Sequence, residues 1–132
     1  MSLAFEIWAF VLMPEHAHLV VHPVEPSYSI GAFLAAVKRP VAGAARRHLE
    51  STGRDDWLDR LTTSGRFRFW QPGGGHDRNI WSPRVLWNAI EYIHANPVRR
   101  GLVGRVTDWR WSSARFWLLG DADPMRMDPI RI

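Results

Sequence analysis

A chain of 132 residues, 46% of them hydrophobic, holds about enough material for one hydrophobic core, so a single domain over residues 1–132 is expected. Zero cysteines exclude disulfides, thiolate metal sites and cysteine catalysis, and no apolar run reaches the roughly 18–20 residues of a membrane span. A net charge of +4 suits a polyanionic partner without requiring one. With no secretory signal at the start, the expectation is a soluble, cytoplasmic protein that engages no membrane.

Glu6 to Met13 is apolar, aromatic and β-branched, and Pro14-Glu15 separates it from a second β-prone run, His16 to His22. Two strands joined by a tight turn follow. Alternation along the second strand puts His16, His18, Val20 and His22 on one face and Ala17, Leu19 and Val21 on the other, and the leucine and valine face is expected to bury.

Ile30, Phe33, Leu34, Val37, Val41 and Ala45 recur at helical spacing. This predicts an amphipathic helix, kinked or divided at Pro40, with Lys38, Arg39, Arg46 and Arg47 toward solvent. Ser51 to Asn79 shows little periodicity and reads as a long irregular segment, in which Arg66, Arg68 and Arg78 interleave with Phe67, Phe69 and Trp70. Ser82-Pro83 is a helix start and Asn96-Pro97 a helix stop, predicting a helix from Pro83 to Ala95. Arg99-Arg100-Gly101 reads as a basic turn, a last helical piece runs through Leu119, and residues 119–132 read as a loosely ordered tail. Composition does not divide the eight tryptophans between core anchors and base-stacking surfaces.

Two histidines one residue apart on a strand point the same way, with attachment points roughly 6.5–7 Å apart, so the imidazoles of His16 and His18 can converge on one ion. A lone His-x-His pair is more often a pair of ordinary half-buried histidines than a metal site. On the predicted helix, Val85, Ala89, Tyr92 and Asn96 form one stripe, with Tyr92 and Asn96 one turn apart. A phenol beside an amide oxygen suits phosphoryl chemistry, the amide completing a metal shell while the tyrosine attacks. The bland alternative is a tyrosine that packs with its hydroxyl satisfied.

Val11-Leu12-Met13-Pro14-Glu15-His16-Ala17-His18-Leu19-Val20 closely resembles the histidine-hydrophobic-histidine (HUH) motif of the single-tyrosine transposases. Glu91-Tyr92-Ile93-His94-Ala95-Asn96-Pro97-Val98-Arg99-Arg100-Gly101-Leu102-Val103 resembles the tyrosine-bearing helix and exit turn of their branch associated with repetitive extragenic palindromes (REP). Phe69 to Ile80 and Trp109 to Ser113 are similar to two further blocks of that family. The resemblance implies a ferredoxin-like α+β fold, an antiparallel sheet with helices packed on one face. It also implies metal ligation by His16, His18 and Asn96, with magnesium or manganese as the ion, and Tyr92 as the nucleophile. The implied activity is that of a transposase: a single-strand DNA endonuclease and strand transferase that forms a 5′-phosphotyrosine link at hairpin-flanked sites. Candidates for gripping phosphates are Arg66, Arg68, Arg78, Arg99 and Arg100, with Trp70 to stack on an unpaired base.

His76 stands where many relatives carry tyrosine, and His22 lies too far beyond His18 to be a good third ligand. Similar proteins carry another strand and helix ahead of the segment that begins here at Phe5, so a sheet lacking its usual first strand and helix is expected, with an edge that something must cover. That departure keeps a second reading open: a catalytically decayed transposase acting as a DNA or RNA hairpin-binding module. Relatives occur as dimers and as monomers, which leaves a homodimer open too.

Overall fold

The computed structural model describes residues 4–71 and 75–131. Pro72, Gly73 and Gly74 of the expected irregular segment, together with both chain ends, lie outside the described residues. The elements run β1 (Phe5–Leu12), β2 (Ala17–Pro23), α1 (Ile30–Ser51), α2 (Asp55–Leu61), β3 (Thr62–Thr63), β4 (Arg66–Phe67), α3 (Pro83–Arg99), a 3-10 turn (Val106–Asp108) and α4 (Ala114–Leu119). The class is the α+β expected. Backbone contacts divide the chain into two compact units: Ser27–Asp77, and Ser2–Pro26 with Arg78–Ile132.

In the second unit, β1 and β2 pair antiparallel from Phe5↔Pro23 to Leu12↔Ala17. The four-residue turn between them closes with Met13 N donating to the His16 carbonyl at 2.8 Å. A bulge between Ile7 and Ala9 puts Trp8 in as an extra residue, which locally sharpens the strand twist. Trp8, Ala9, Val11 and Met13 of this hairpin, with Val20, pack against Leu86, Ile90 and Ile93 of α3. The three helix residues sit at i, i+4 and i+7, one stripe, and burying each such side chain contributes about 2 kcal/mol.

Because α3 covers the face that carries the histidines, Val20 is the buried residue of β2, while Leu19 and Val21 on the opposite face are only half-buried. The expectation that the Leu19 and Val21 face buries is therefore corrected. Alternation identifies two faces, but the element packed on one of them decides which is core.

The outer edge of β1 is covered by chain from far downstream. Leu12 N donates to the Trp111 carbonyl at 2.8 Å, Ser113 N to the Phe10 carbonyl at 2.9 Å, and Asp128 N to the Ile7 carbonyl at 3.0 Å. The Asp128 carboxylate accepts from Ile7 N at 2.8 Å, and Met127 beside it is buried. The segment expected to be a loosely ordered tail thus includes an anchored stretch. Among the described residues no strand pairs with the outer edge of β2.

The other unit opens with α1, capped by the Ser29 hydroxyl accepting from Ala32 N at 3.1 Å. The helix is continuous through Pro40 over 22 residues, rather than divided into two pieces. The stretch read as irregular contains α2 and a small hairpin, β3 with β4. Ser64 and Gly65 link the hairpin strands with φ of 53° and 76°. Two consecutive left-handed residues match the right-handed twist of a two-residue hairpin, and glycine takes that conformation without a Cβ penalty.

Candidate active site on the histidine strand and the tyrosine helix

The start of α3 is fixed locally: the Ser82 hydroxyl accepts from Val85 N at 3.2 Å, with Pro83 in the first turn. Its end is not where the Asn96-Pro97 pair predicted. The helix carries Pro97 and runs to Arg99, closing with Gly101 N donating to the Val98 carbonyl at 3.0 Å and Leu102 N to the Pro97 carbonyl at 2.9 Å. Gly101 takes φ +73°, so this is a Schellman-type cap. Proline in the last turn forfeits one helical hydrogen bond, and its ring is fully buried here.

The extra turn shapes the site. Asn96 lies inside the helix, buried at 4% exposure, and Arg99 falls seven residues beyond Tyr92 on the same face. Tyr92 sits at the border of the buried stripe and is 57% exposed. Its ring centre lies 6.4 Å from that of His18, nearly perpendicular to it. The imidazoles of His16 and His18 are 4.7 Å apart between centres, and Nε2 of His16 lies 3.5 Å from the Asn96 side-chain amide. The structure therefore brings His16, His18, Tyr92 and Asn96 into one cluster.

Three further side chains complete it. Glu15 lies 3.1 Å from Nδ1 of His16 and is itself engaged by Arg100. A carboxylate at Nδ1 holds the ring proton there and leaves the Nε2 lone pair free, turned toward Asn96. The guanidinium of Arg99 stacks 3.8 Å from the centre of the Tyr92 ring. Burial first, then the neighbouring His16 and Arg99, push the pKa of His18 below the usual histidine value. A neutral imidazole is the form that ligates metal.

Sequence reasoning missed the role of Glu15 and gave Arg100 and Arg99 only phosphates to hold. The signals were adjacency to His16 in one case, and seven-residue spacing from Tyr92 on a helix that does not stop at proline in the other. Arg78 is exposed in this unit, whereas Arg66, Arg68 and Trp70 belong to the unit Ser27–Asp77.

Among the described residues no cluster of three or more histidine, cysteine, aspartate or glutamate side chains forms. Beside the two imidazoles, the Asn96 amide is the side chain near His16 that could supply a third donor. Two neutral nitrogens and an amide oxygen are a donor set that a hard divalent ion completes with water and phosphate oxygens, so the residues present fit the ion that the resemblance implies.

No protein-family profile matches the chain. In sequence it is 27% identical over 109 residues to a REP-associated tyrosine transposase of Haemophilus influenzae, an alignment that covers 83% of this chain and 58% of that protein. The chain thus spans less than two thirds of the relative's length. In fold it resembles the structure of a REP-associated tyrosine transposase bound to a REP hairpin, with a TM-score of 0.60 and 23% identity over 97% of this chain and 71% of that one. The likeness of sequence agrees with the motifs in making the chain similar to the REP-associated tyrosine transposases, and the likeness of fold agrees with the α+β architecture.

Proposed function

We propose that the β1–β2–α3 unit cuts and rejoins single-stranded DNA beside a hairpin, with Tyr92 as the nucleophile. The observation that carries this reading is the placement of an exposed phenol against a pair of imidazoles and a buried amide, contributed by segments some 75 residues apart in sequence. The phenolic oxygen forms a bond to the scissile phosphorus, the bond from phosphorus to the 3′ oxygen breaks, and that oxygen leaves as a hydroxyl after taking up a proton. The 5′-phosphotyrosine link keeps the bond energy needed for rejoining.

His16, His18 and Asn96 would hold the divalent ion, magnesium or manganese, whose positive charge polarises a phosphate ester when it is bound. Glu15 orients the His16 ring, and Arg100 holds Glu15. Arg99 would meet the nonbridging phosphate oxygens as charge builds on them, and its position over the tyrosine ring would hold the direction of the nucleophile. The hairpin substrate is carried over from the relative whose structure contains one, and the basic side chains Arg78 and Arg99 suit its backbone.

The test is incubation with labelled single-stranded DNA that contains a palindromic repeat, in the presence of manganese. A covalent protein–DNA adduct is expected from the wild type and none from Tyr92→Phe. An adduct that survives in Tyr92→Phe overturns the assignment. Hairpin binding with no adduct from the wild type would replace the enzyme with the hairpin-binding module.

A further inference from the structure

Outside the cluster around Tyr92, the unit Ser27–Asp77 carries a groove of about 440 Å³ whose lining includes Arg60, Arg68, Phe69 and Trp70. Its volume falls within the roughly 300–1,000 Å³ of small-ligand clefts. Its walls combine partly exposed aromatic rings with arginines that, among the described residues, form no ion pair with a carboxylate.

Phe69 is 39% exposed although it is a large apolar ring, and its centre lies 5.2 Å from that of Trp70 at a tilt of 60°. Trp70 is held rigidly: its indole N–H donates to the Lys38 carbonyl at 3.0 Å, and the Lys38 ammonium lies 5.5 Å from the ring centre. Arg60 stacks 5.0 Å over Trp57. Among the described residues neither Arg60 nor Arg68 forms an ion pair with a carboxylate, although Arg46 and Arg54 of the same unit both do. An acidic protein segment would satisfy the arginines but leave the rings unused, and an apolar peptide would do the reverse. A nucleotide meets both, because its base has a flat apolar face and its phosphate a negative charge about one side chain away.

We propose that this groove holds an unpaired nucleotide of the DNA strand that continues from the hairpin, with the base stacked on Phe69 against the Trp70 wall and the adjoining phosphates at Arg60 and Arg68. The inference rests on the hairpin-cutting reading and gives it a recognition site of its own, on a unit that carries none of the residues of the Tyr92 cluster. Base stacking tolerates any base, so the groove registers that a single strand is present rather than which sequence it has.

Fluorescence anisotropy with chelator present, so that no cutting interferes, tests this with three labelled probes: a blunt hairpin, the same hairpin with a single-stranded extension, and an oligothymidine of about eight nucleotides. Phe69→Ala and Arg68→Ala are expected to weaken binding of the extended hairpin and the oligothymidine about tenfold each, while the blunt hairpin binds as before. Phe69→Tyr, which keeps the ring, restores most of the affinity. Should Phe69→Ala fail to fold, Arg68→Ala alters only an exposed side chain and carries the comparison. Variants that bind the extended probes as tightly as the wild type, or that lose the blunt hairpin equally, overturn the proposal. A wild type that binds oligothymidine through Phe69 and Arg68 but takes no hairpin would leave the groove standing and remove the hairpin reading; binding to none of the probes would remove both.

Discussion

The guanidinium carbon of Arg99 lies over the ring of Tyr92, 3.8 Å from its centre. A planar cation on the face of an aromatic ring holds the ring's direction and keeps charge beside the hydroxyl. Arg99→Ala should lower adduct formation by about 10- to 100-fold, and Arg99→Lys should recover little of it, because a lysine ammonium cannot stack as a plane. Timed quenching of the adduct on a denaturing gel measures this. Equal rates in Arg99→Ala and wild type would leave the arginine with packing alone.

Glu15 sits 3.1 Å from His16 Nδ1. Removing such a partner from a ligating histidine typically weakens metal binding about 10- to 100-fold. Glu15→Gln should therefore lower manganese affinity by about tenfold in calorimetry, with the thermal midpoint of the metal-free protein nearly unchanged, since the pairs that Glu15 forms lie near the surface. Unchanged metal affinity would detach Glu15 from the site.

His94 is buried with its Nε2 2.7 Å from the Ser113 hydroxyl, and burial pushes its pKa down to about 4 from 6.5. The unfolded chain takes up this proton near the ordinary value and the native chain only near the depressed one, so protons favour unfolding between the two. The contribution of His94 should be full above about pH 6.5, fall as pH drops toward 4, and level off below it. The loss from this one group is on the order of 2–3 kcal/mol. Urea titrations across that range should show a shallower decline for His94→Gln than for wild type; parallel declines would mean that His94 is not the group responsible.

Asp128 ties the end of the chain to β1 through two hydrogen bonds with Ile7. Asp128→Ala should cost about 1–2 kcal/mol by leaving the Ile7 N–H short of an acceptor. The same variant should raise amide exchange at Ile7 and speed proteolysis of the last residues. Wild-type exchange at Ile7 in the variant would show that the anchor lies elsewhere, at the buried Met127.

Both halves of the Tyr92 cluster were legible in the sequence because each depends on a local period. His16 and His18 share a strand face at a step of two, and Tyr92 and Asn96 share a helix stripe at a step of four. Ser82-Pro83 announced the helix start through short-range capping chemistry. The hairpin at Thr62 to Phe67 was not legible, because two residues per strand are too few to show alternation. Arg99 escaped because proline was read as a stop, whereas a buried ring and a glycine cap let α3 run on.

What the sequence by itself determined, then, is a set of local geometries: a turn between two strands, a face of histidines, a capped helix with a phenol on one stripe. Tertiary structure alone decided which face of β2 is core, that the chain near Asp128 is anchored 121 residues away at Ile7, and that the phenol meets the imidazoles. Periodicity lists the surfaces a segment can offer. Which of them is buried, and what stands opposite, depends on contacts between segments distant along the chain, and those are set by the joint packing of all of them.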